Sequence, residues 1–139
     1  MRIMSVFELI NWSLKRESLK IPVMSESEKD KNIAVIECYM NGLSIKDLSA
    51  VPLAADLTFS NPISGRGVGA DNFRAYLSGF LLAMNDIHVR RHFSDGDYVI
   101  TEWEIDAIFG IIPVLEIFRI RNGEIAEAEA YFDPRPILG

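Results

Sequence analysis

The sequence predicts an α+β protein, with helices in its first half and a run of antiparallel strands in its second half. Apolar residues recur at helical spacing before residue 86, and extended runs follow it. Three turn pairs interrupt those runs: Asp95-Gly96, Phe109-Gly110 and Asn122-Gly123. The first and the last pair are strong hairpin signals. This segregated order argues against an alternating βαβ chain with a parallel sheet.

Length and composition are those of one globular domain. The chain has 139 residues, of which 49% are hydrophobic and 24% are charged. Its net charge of -6 repels phosphate backbones and anionic lipids, so we expect no nucleic-acid and no membrane partner. Cys38 is the single cysteine, which excludes an internal disulfide and a multi-cysteine zinc site. No apolar run reaches the roughly 18 to 20 residues that cross a bilayer, and we expect a cytoplasmic protein.

The domain is predicted to occupy residues 31–139, after an N-terminal extension and linker over residues 1–30. A polar, charged stretch that begins at Met24 separates the extension from the domain. The extension has an amphipathic pattern because its apolar residues have helical spacing: Val6, Phe7, Ile10 and Leu14.

The first half of the domain is predicted to contain three helical segments and one strand. The first helix runs from Lys31 to Leu43, and a shorter piece from about Ile45 to Ala54 leads into the strand DLTFSN. The glycines and the proline of PISGRGVG predict turns. Asp71 is predicted to cap the third helix. One side of that helix carries apolar residues: Phe73, Tyr76, Leu77, Phe80, Leu81 and Met84.

Two predicted hairpin registers assign the faces of the sheet. A three-residue loop SDG places Val89 opposite Thr101 and His88 opposite Glu102, so that His88 and His92 point outward. A three-residue loop NGE gives the second register: Glu116 with Ala130, Phe118 with Ala128, Arg119 with Glu127 and Ile120 with Ala126.

Together the registers place ten residues on the concave, helix-covered side of a curved sheet: Val99, Thr101, Trp103, Ile105, Glu116, Phe118, Ala126, Ala128, Ala130 and Phe132. Strands usually fill a core with larger side chains than alanine. The three alanines therefore predict a cavity. Glu116 would be buried beside it, where desolvation raises the pKa of a carboxyl group.

The stretches FSNPISGRG and PVLEIFRIRNGEIAEAEAYFDP, together with the order of elements, resemble the nuclear transport factor 2-like superfamily. That superfamily includes ketosteroid isomerase, limonene-epoxide hydrolase and the SnoaL-type polyketide cyclases. The resemblance covers Lys31 to Gly139. It implies a cone-shaped α+β barrel, in which a curved and mostly antiparallel sheet wraps around the N-terminal helices.

Similarity to the isomerase implies an oxyanion hole formed by a tyrosine on the first helix and a protonated acid on a later strand. Tyr39 and Glu116 match these two residues. The position of the isomerase base falls on Asn61, and an amide does not accept a proton at neutral pH.

Similarity to the epoxide hydrolase implies that Asn61 matches the asparagine that positions water. Phe59 stands in place of the hydrolase tyrosine, and Trp103 stands in place of its arginine. The two hydrolase aspartates correspond to Ile105 and Ala130, so most of that acid-base set is replaced.

Two alternatives stay open from the sequence. A one-residue slip of the strand containing TEW would bring Glu104 and Asp106 inside, but it would turn Trp103 outward. Asp133, which precedes Pro134, resembles an aromatic-Asp pair of the cyclases. It is either an acid or base of the pocket or a turn former.

The candidate catalytic residues are therefore Glu116 and Tyr39, as donors to developing negative charge on oxygen, and Asn61, which would orient water or substrate. The candidate substrate-binding residues form the predicted cavity wall: Phe59, Phe80, Thr101, Trp103, Ile105, Phe118, Ala128 and Ala130.

The predicted function is that of a small-molecule pocket, either in an isomerase, cyclase or epoxide-hydrolase-like enzyme that acts on a hydrophobic ring substrate, or in a non-catalytic ligand-binding or dimerisation module. No cofactor and no metal are expected. A homodimer is expected through the outer face of the sheet, which presents four apolar residues: Tyr98, Ile100, Ile117 and Ile125.

Overall fold

The computed structural model describes residues 26–139, and the predictions for residues 1–25 lie outside that range. The elements follow in this order: α1 (Glu26–Ile45), β1 (Leu53–Asn61), β2 (Gly65–Val68), α2 (Ala70–Leu81), β3 (Met84–Asp95), β4 (Tyr98–Ala107), β5 (Gly110–Arg121), β6 (Glu124–Tyr131) and α3 (Arg135–Leu138). No helix in the described part of the chain is long and apolar enough to cross a membrane.

The six strands form one sheet in the order β2-β1-β6-β5-β4-β3. β1 runs parallel to β6, and every other neighbouring pair is antiparallel. α1 packs against β3, β4 and β6, while α2 packs against β1, β2 and β3. The predicted α+β fold with a curved, mostly antiparallel sheet is confirmed. The sheet stays open instead of closing into a barrel, because β2 and β3 are its two edges.

The helix α1 is longer than predicted, and the short helical piece after it is absent. α1 extends back to Glu26, since the polar run ESEKDKN is rich in Glu and Lys, which favour helix. After α1 the chain turns at Lys46, which has a φ of 59°. Oδ1 of Asp47 then accepts hydrogen bonds from the backbone N and from Oγ of Ser49. These local bonds replace helical ones, so the chain reaches β1 without a second helix.

The stretch predicted as turns, PISGRGVG, contains the short strand β2, which pairs with β1. Gly67 lies opposite Phe59, and a Cβ atom at Gly67 would lie 2.2 Å from Cζ of Phe59. The aromatic ring therefore occupies the space above this glycine. Asp71 does not cap α2 as predicted, since the helix already begins at Ala70 and Asp71 lies in its first turn.

The hairpin of β5 and β6 follows the predicted register over most of its length. Glu116 lies opposite Ala130, Phe118 opposite Ala128 and Arg119 opposite Glu127. The prediction is wrong beyond that point, because a β-bulge between Arg119 and Ile120 pairs Ile120 with Ile125. The bulge also explains why Ile125 is fully buried and not part of the outer face.

The hairpin of β3 and β4 has a different register from the predicted one. The loop between Asp95 and Tyr98 has two residues instead of three, and a β-bulge lies between Val89 and Arg91. Arg90 is the extra residue of that bulge. Because one extra residue reverses the alternation of side chains, His92 points to the inner face, opposite Thr101, and not outward as predicted.

The inner face carries most of the predicted set of residues, but Ala126 lies in the bulge of β6 and Phe132 follows the end of that strand. Val99, Trp103 and Ile105 of β4 are buried, and so is Glu116 of β5. The side chains between them, including Glu104 and Asp106, lie on the outer face and are only partly buried. The one-residue slip that would bring Glu104 and Asp106 inside therefore does not occur.

Candidate active site

Glu116 is a carboxylic acid at the centre of the inner face. β5 places it between Thr101 of β4 and Ala130 of β6, and its side chain is 3% exposed. Burial raises the pKa of Glu116 to about 8, and the nearby Trp103 N–H opposes this rise. At neutral pH the group is therefore mostly the neutral acid, which can donate a hydrogen bond.

A cavity opens beside this acid, between the inner face and the two long helices. It encloses about 30 Å³, which is enough for one or two water molecules. Apolar and aromatic side chains dominate its wall. Among the described residues, the complete wall consists of Tyr39, Leu43, Ser60, Asn61, Phe73, Tyr76, Leu77, Phe80, Met84, Trp103, Ile105, Val114, Glu116, Ala128, Ala130 and Phe132. Two of the three predicted alanines, Ala128 and Ala130, form part of this wall.

Two buried polar atoms in the wall have no hydrogen-bond partner among the described residues. They are the indole Nε1 of Trp103 and Oε1 of Glu116. The indole N–H is near enough to Glu116 to favour its charged form, yet it completes no hydrogen bond with it. Buried polar groups in folded proteins are almost always paired, so this pair indicates a place for a ligand atom or a water molecule.

Tyr39 enters the cavity from α1, as predicted. Its ring stacks on Phe73 at a centroid distance of 6.1 Å and meets the edge of Phe118 at 5.3 Å. Burial and the adjacent Glu116 raise the pKa of Tyr39 well above its usual value. The hydroxyl therefore stays protonated and remains a donor.

Tyr76 on α2 is a polar residue of the cavity that the sequence predictions did not single out. It is half-buried, and burial together with Glu116 raises its pKa to about 12. The sequence placed Tyr76 on the apolar side of a helix, where it resembled an ordinary core residue. Its proximity to Glu116 depends on how α2 crosses the sheet, which sequence spacing does not reveal.

Asn61 lines the cavity, but most hydrogen bonds of its side-chain amide are made within a turn. Oδ1 accepts hydrogen bonds from the backbone N of Ile63 and of Ser64, and Nδ2 donates to Oγ of Ser64. This is an Asx turn, which ends β1 and starts the return to β2. One amide hydrogen of Asn61 remains for a ligand.

Five predicted substrate-binding residues lie in the cavity wall: Phe80, Trp103, Ile105, Ala128 and Ala130. Three others lie behind it. Phe59 is directed between Gly67 and Phe73, and Phe118 is covered by the ring of Tyr39. Thr101 is fully buried, and its hydroxyl interacts with His92.

The other candidates of the sequence stay outside this site. Asp133 accepts hydrogen bonds from the side chain and the backbone N of Arg135, which hold the pKa of Asp133 down to about 2. It forms a turn before α3. Within residues 26–139, no group of three or more His, Cys, Asp or Glu side chains is placed to hold a metal ion.

Comparison with known proteins gives one family match. Residues 36–128 match the family of SnoaL-like domains. No curated protein matches the chain significantly.

Solved structures share the fold at low sequence identity. An NTF2-like protein of unknown function from Cytophaga hutchinsonii has a TM-score of 0.69 and 22% identity, over 78% of this chain and 95% of that chain. An LEH-like epoxide hydrolase of M. tuberculosis has a TM-score of 0.66 and 23% identity, over 80% of this chain and 89% of that chain. A putative SnoaL-like polyketide cyclase from Jannaschia sp. CCS1 has a TM-score of 0.71 and 9% identity, over 84% and 95%.

Proposed function

The chain belongs to the SnoaL-like domain family, and from that premise we propose that it is an enzyme for a neutral, hydrophobic ring compound, with Glu116 as the acid. The observation that carries the proposal is the buried carboxyl group with a pKa of about 8 beside an apolar cavity. Such an acid is neutral at pH 7 and can share its proton with an oxygen on which negative charge develops.

Two other polar groups of the cavity have roles in this proposal. The hydroxyl of Tyr39 is a second donor to the same oxygen, and its raised pKa keeps it protonated. The free amide hydrogen of Asn61 orients the substrate or a water molecule. An isomerase, a cyclase and an epoxide hydrolase all need assistance at an oxygen, so the proposal covers these three reaction types and requires no cofactor.

A ring compound needs more than 30 Å³, so the proposal requires side chains of the cavity wall to move when it binds. Met84 is an unbranched side chain that adapts to irregular shapes. Phe80 and Phe132 are only half-buried, so their rings can turn outward. Ala128 and Ala130 leave the sheet side of the cavity free of bulk.

A non-catalytic ligand-binding module is the second candidate, and the Asx turn favours it. Because Asn61 stands where the isomerase has its base and its Oδ1 is bound to two backbone N–H groups, the cavity lacks a base at that position. In this case Glu116, Trp103 and Tyr39 would only anchor a polar atom of the ligand.

Native mass spectrometry of the purified protein, followed by a screen of epoxides, ketosteroids and polyketide intermediates, tests the proposal. We expect turnover by the wild type and at least a hundredfold lower kcat for Glu116→Gln, with little change in affinity. Glu124→Gln, at an exposed hairpin, is the matched control. Binding without turnover would favour the second candidate, and failure to bind any of these compounds would contradict both.

We also propose that the protein forms a homodimer through the outer face of the sheet. Phe93, Ile100 and Ile117 form one apolar row across three strands, and Leu115 and Tyr131 extend it. Phe93, Leu115 and Tyr131 are 53%, 42% and 54% exposed, which is unusual for a cluster of large apolar residues. Location in the cytoplasm stays a prediction from the sequence.

A further inference from the structure

One row of polar side chains crosses the inner face. His92 of β3, Thr101 of β4 and Glu116 of β5 lie directly opposite one another on three adjacent strands. We refer to these three residues as the polar row. β3 is an edge strand, so the polar row runs from the edge of the sheet to the acid in the cavity.

The first link of the polar row is a hydrogen bond. Nδ1 of His92 lies 2.8 Å from Oγ1 of Thr101. Thr101 is fully buried, whereas His92 is half-buried and therefore reaches solvent. The bulge at Arg90 makes this contact possible, since regular alternation would turn His92 to the outer face.

The second link follows from strand pairing. Thr101 and Glu116 are directly opposed, and the Cβ atoms of such a pair are about 4.5 to 5.5 Å apart. A relay through this pair requires the two side chains to rotate until the hydroxyl and the carboxyl group lie within hydrogen-bond distance. Oε1 of Glu116 has no other partner among the described residues, so it is free to take part.

We propose that His92 and Thr101 relay protons between solvent and Glu116. This inference rests on the proposed function and adds that Glu116 transfers its proton fully to the substrate oxygen, so that the acid must be reloaded. A substrate in the cavity separates Glu116 from water at the mouth, so an acid that acts repeatedly needs a second route. The polar row supplies that route from behind the cavity wall.

The transfer moves one net proton from Glu116 to His92 in two coupled steps. Glu116 gives its proton to Oγ1 of Thr101 while the hydroxyl proton of Thr101 passes to Nδ1 of His92. The products are a carboxylate, an unchanged threonine and an imidazolium. The imidazolium then releases a proton from Nε2 to water, and the reverse sequence reloads Glu116.

The groups that face the polar row favour the reloading direction, from His92 to Glu116. Desolvation lowers the pKa of His92, so an imidazolium there gives up its proton readily, while the negative charge of Glu37 on α1 favours proton uptake from solvent. At the other end, Tyr39 and Tyr76 stay protonated, and burial favours the neutral form of Glu116.

Infrared spectroscopy of the full chain tests the relay. The C=O stretch of protonated Glu116, identified by its loss in Glu116→Gln, shifts when the acid exchanges its proton for deuterium. We expect Thr101→Val and His92→Phe each to slow this exchange at least tenfold. Thr101→Ser keeps the hydroxyl and should exchange at the wild-type rate. His88→Phe, on the same strand but on the outer face, should also leave the rate unchanged.

The double variant Thr101→Val/His92→Phe distinguishes one serial route from two separate effects. A serial route predicts exchange no slower than in the slower single variant. Wild-type exchange in folded Thr101→Val, or in folded His92→Gln if the Phe variant does not fold, would overturn the relay and leave the proposed function intact. Absence of the C=O band at pH 7 would overturn the proposed function and the relay with it.

Discussion

The indole Nε1 of Trp103 and the carboxyl Oε1 of Glu116 line the same cavity, and each is buried without a hydrogen-bond partner in the described structure. The two residues occupy adjacent strands, β4 and β5, on the inner face. The indole N–H of Trp103 lowers the pKa of Glu116, because a nearby N–H favours the carboxylate over the acid.

Substitution of Trp103 by Phe is therefore expected to raise the pKa of Glu116 above about 8. The change keeps an aromatic ring in the wall and removes the indole N–H that favours the charged form. Infrared titration of the Glu116 C=O stretch measures the shift. Ile105→Val, which removes volume from the same wall and no polar atom, should leave the titration close to that of the wild type. An unchanged or lower pKa in Trp103→Phe would contradict this electrostatic contact.

Stability should depend on pH through Glu116. The pKa is raised from 4.5 to about 8 on folding, so the folded protein holds one more proton than the unfolded chain between these values. The free energy of unfolding of the wild type should therefore fall, relative to Glu116→Gln, as pH rises from about 4.5 to about 8, by up to roughly 4 kcal/mol. Urea titrations at several pH values measure the difference. Glu124→Gln should run parallel to the wild type over the same range.

Asn61 should prove to be a structural residue as well as a cavity residue. Asn61→Ala leaves the backbone N–H groups of Ile63 and Ser64 without their acceptor and should cost about 1 to 3 kcal/mol. Asn61→Asp retains two oxygen acceptors and should stay close to the wild type. Denaturant unfolding compares the two variants. Equal stability of the Ala and Asp variants would show that the Asx turn is dispensable.

Gly67 should tolerate no larger side chain while Phe59 keeps its place. Gly67→Ala brings a Cβ atom to 2.2 Å from the Phe59 ring, so the ring must move toward Phe73, and we expect a loss of about 1 to 3 kcal/mol. Gly79→Ala on α2 is the control, since a Cβ atom there meets nothing within 4 Å and alanine favours helix. Phe59→Leu should relieve part of the cost of Gly67→Ala. Thermal unfolding of the single and double variants tests this coupling.

The proposed dimer should separate when a charge enters the outer apolar row. Leu115→Lys is expected to shift sedimentation equilibrium from dimer toward monomer, because a charged group at the centre of an apolar interface loses its hydration. Val68→Lys places the same charge on β2, where the exposed side chain lies away from that row. A monomeric wild type, or a dimer unaffected by Leu115→Lys, would contradict the proposed interface.

The sequence allowed the chemistry of the cavity to be located, because the β5–β6 register was predictable. Alternating polar and apolar residues around an Asn-Gly turn admit few pairings, and the correct one places Glu116 inside, opposite Ala130. The same reasoning failed where one extra residue enters a strand. A β-bulge changes one pairing and reverses the faces beyond it, yet it leaves no distinct pattern in a single sequence, as at His92 and Ile125.

The roles of Asn61 and Tyr76 were harder to predict for a different reason. Asn61 precedes a proline and so belongs to a recognisable turn signal, but its match to the isomerase and hydrolase positions led to a chemical interpretation. Tyr76 lies close enough to interact electrostatically with Glu116 only because of the way α2 crosses the sheet. Contacts between elements that are distant in sequence depend on packing, which the spacing of residues along one element does not determine.

Because Arg90 is the extra residue of a bulge, β3 can lose this residue and keep its pairing with β4. Arg90 stands between two cross-strand pairs, Val89 with Trp103 and Arg91 with Glu102, and both pairs could persist if it were deleted. Deletion would remove the partly buried ion pair of Arg90 with Glu104 and straighten the strand, while His92 would still face Thr101. A chain without Arg90 would thus have a less curved sheet with the same residues on its inner face. The shape of the cavity would change, while its polar groups would stay in place.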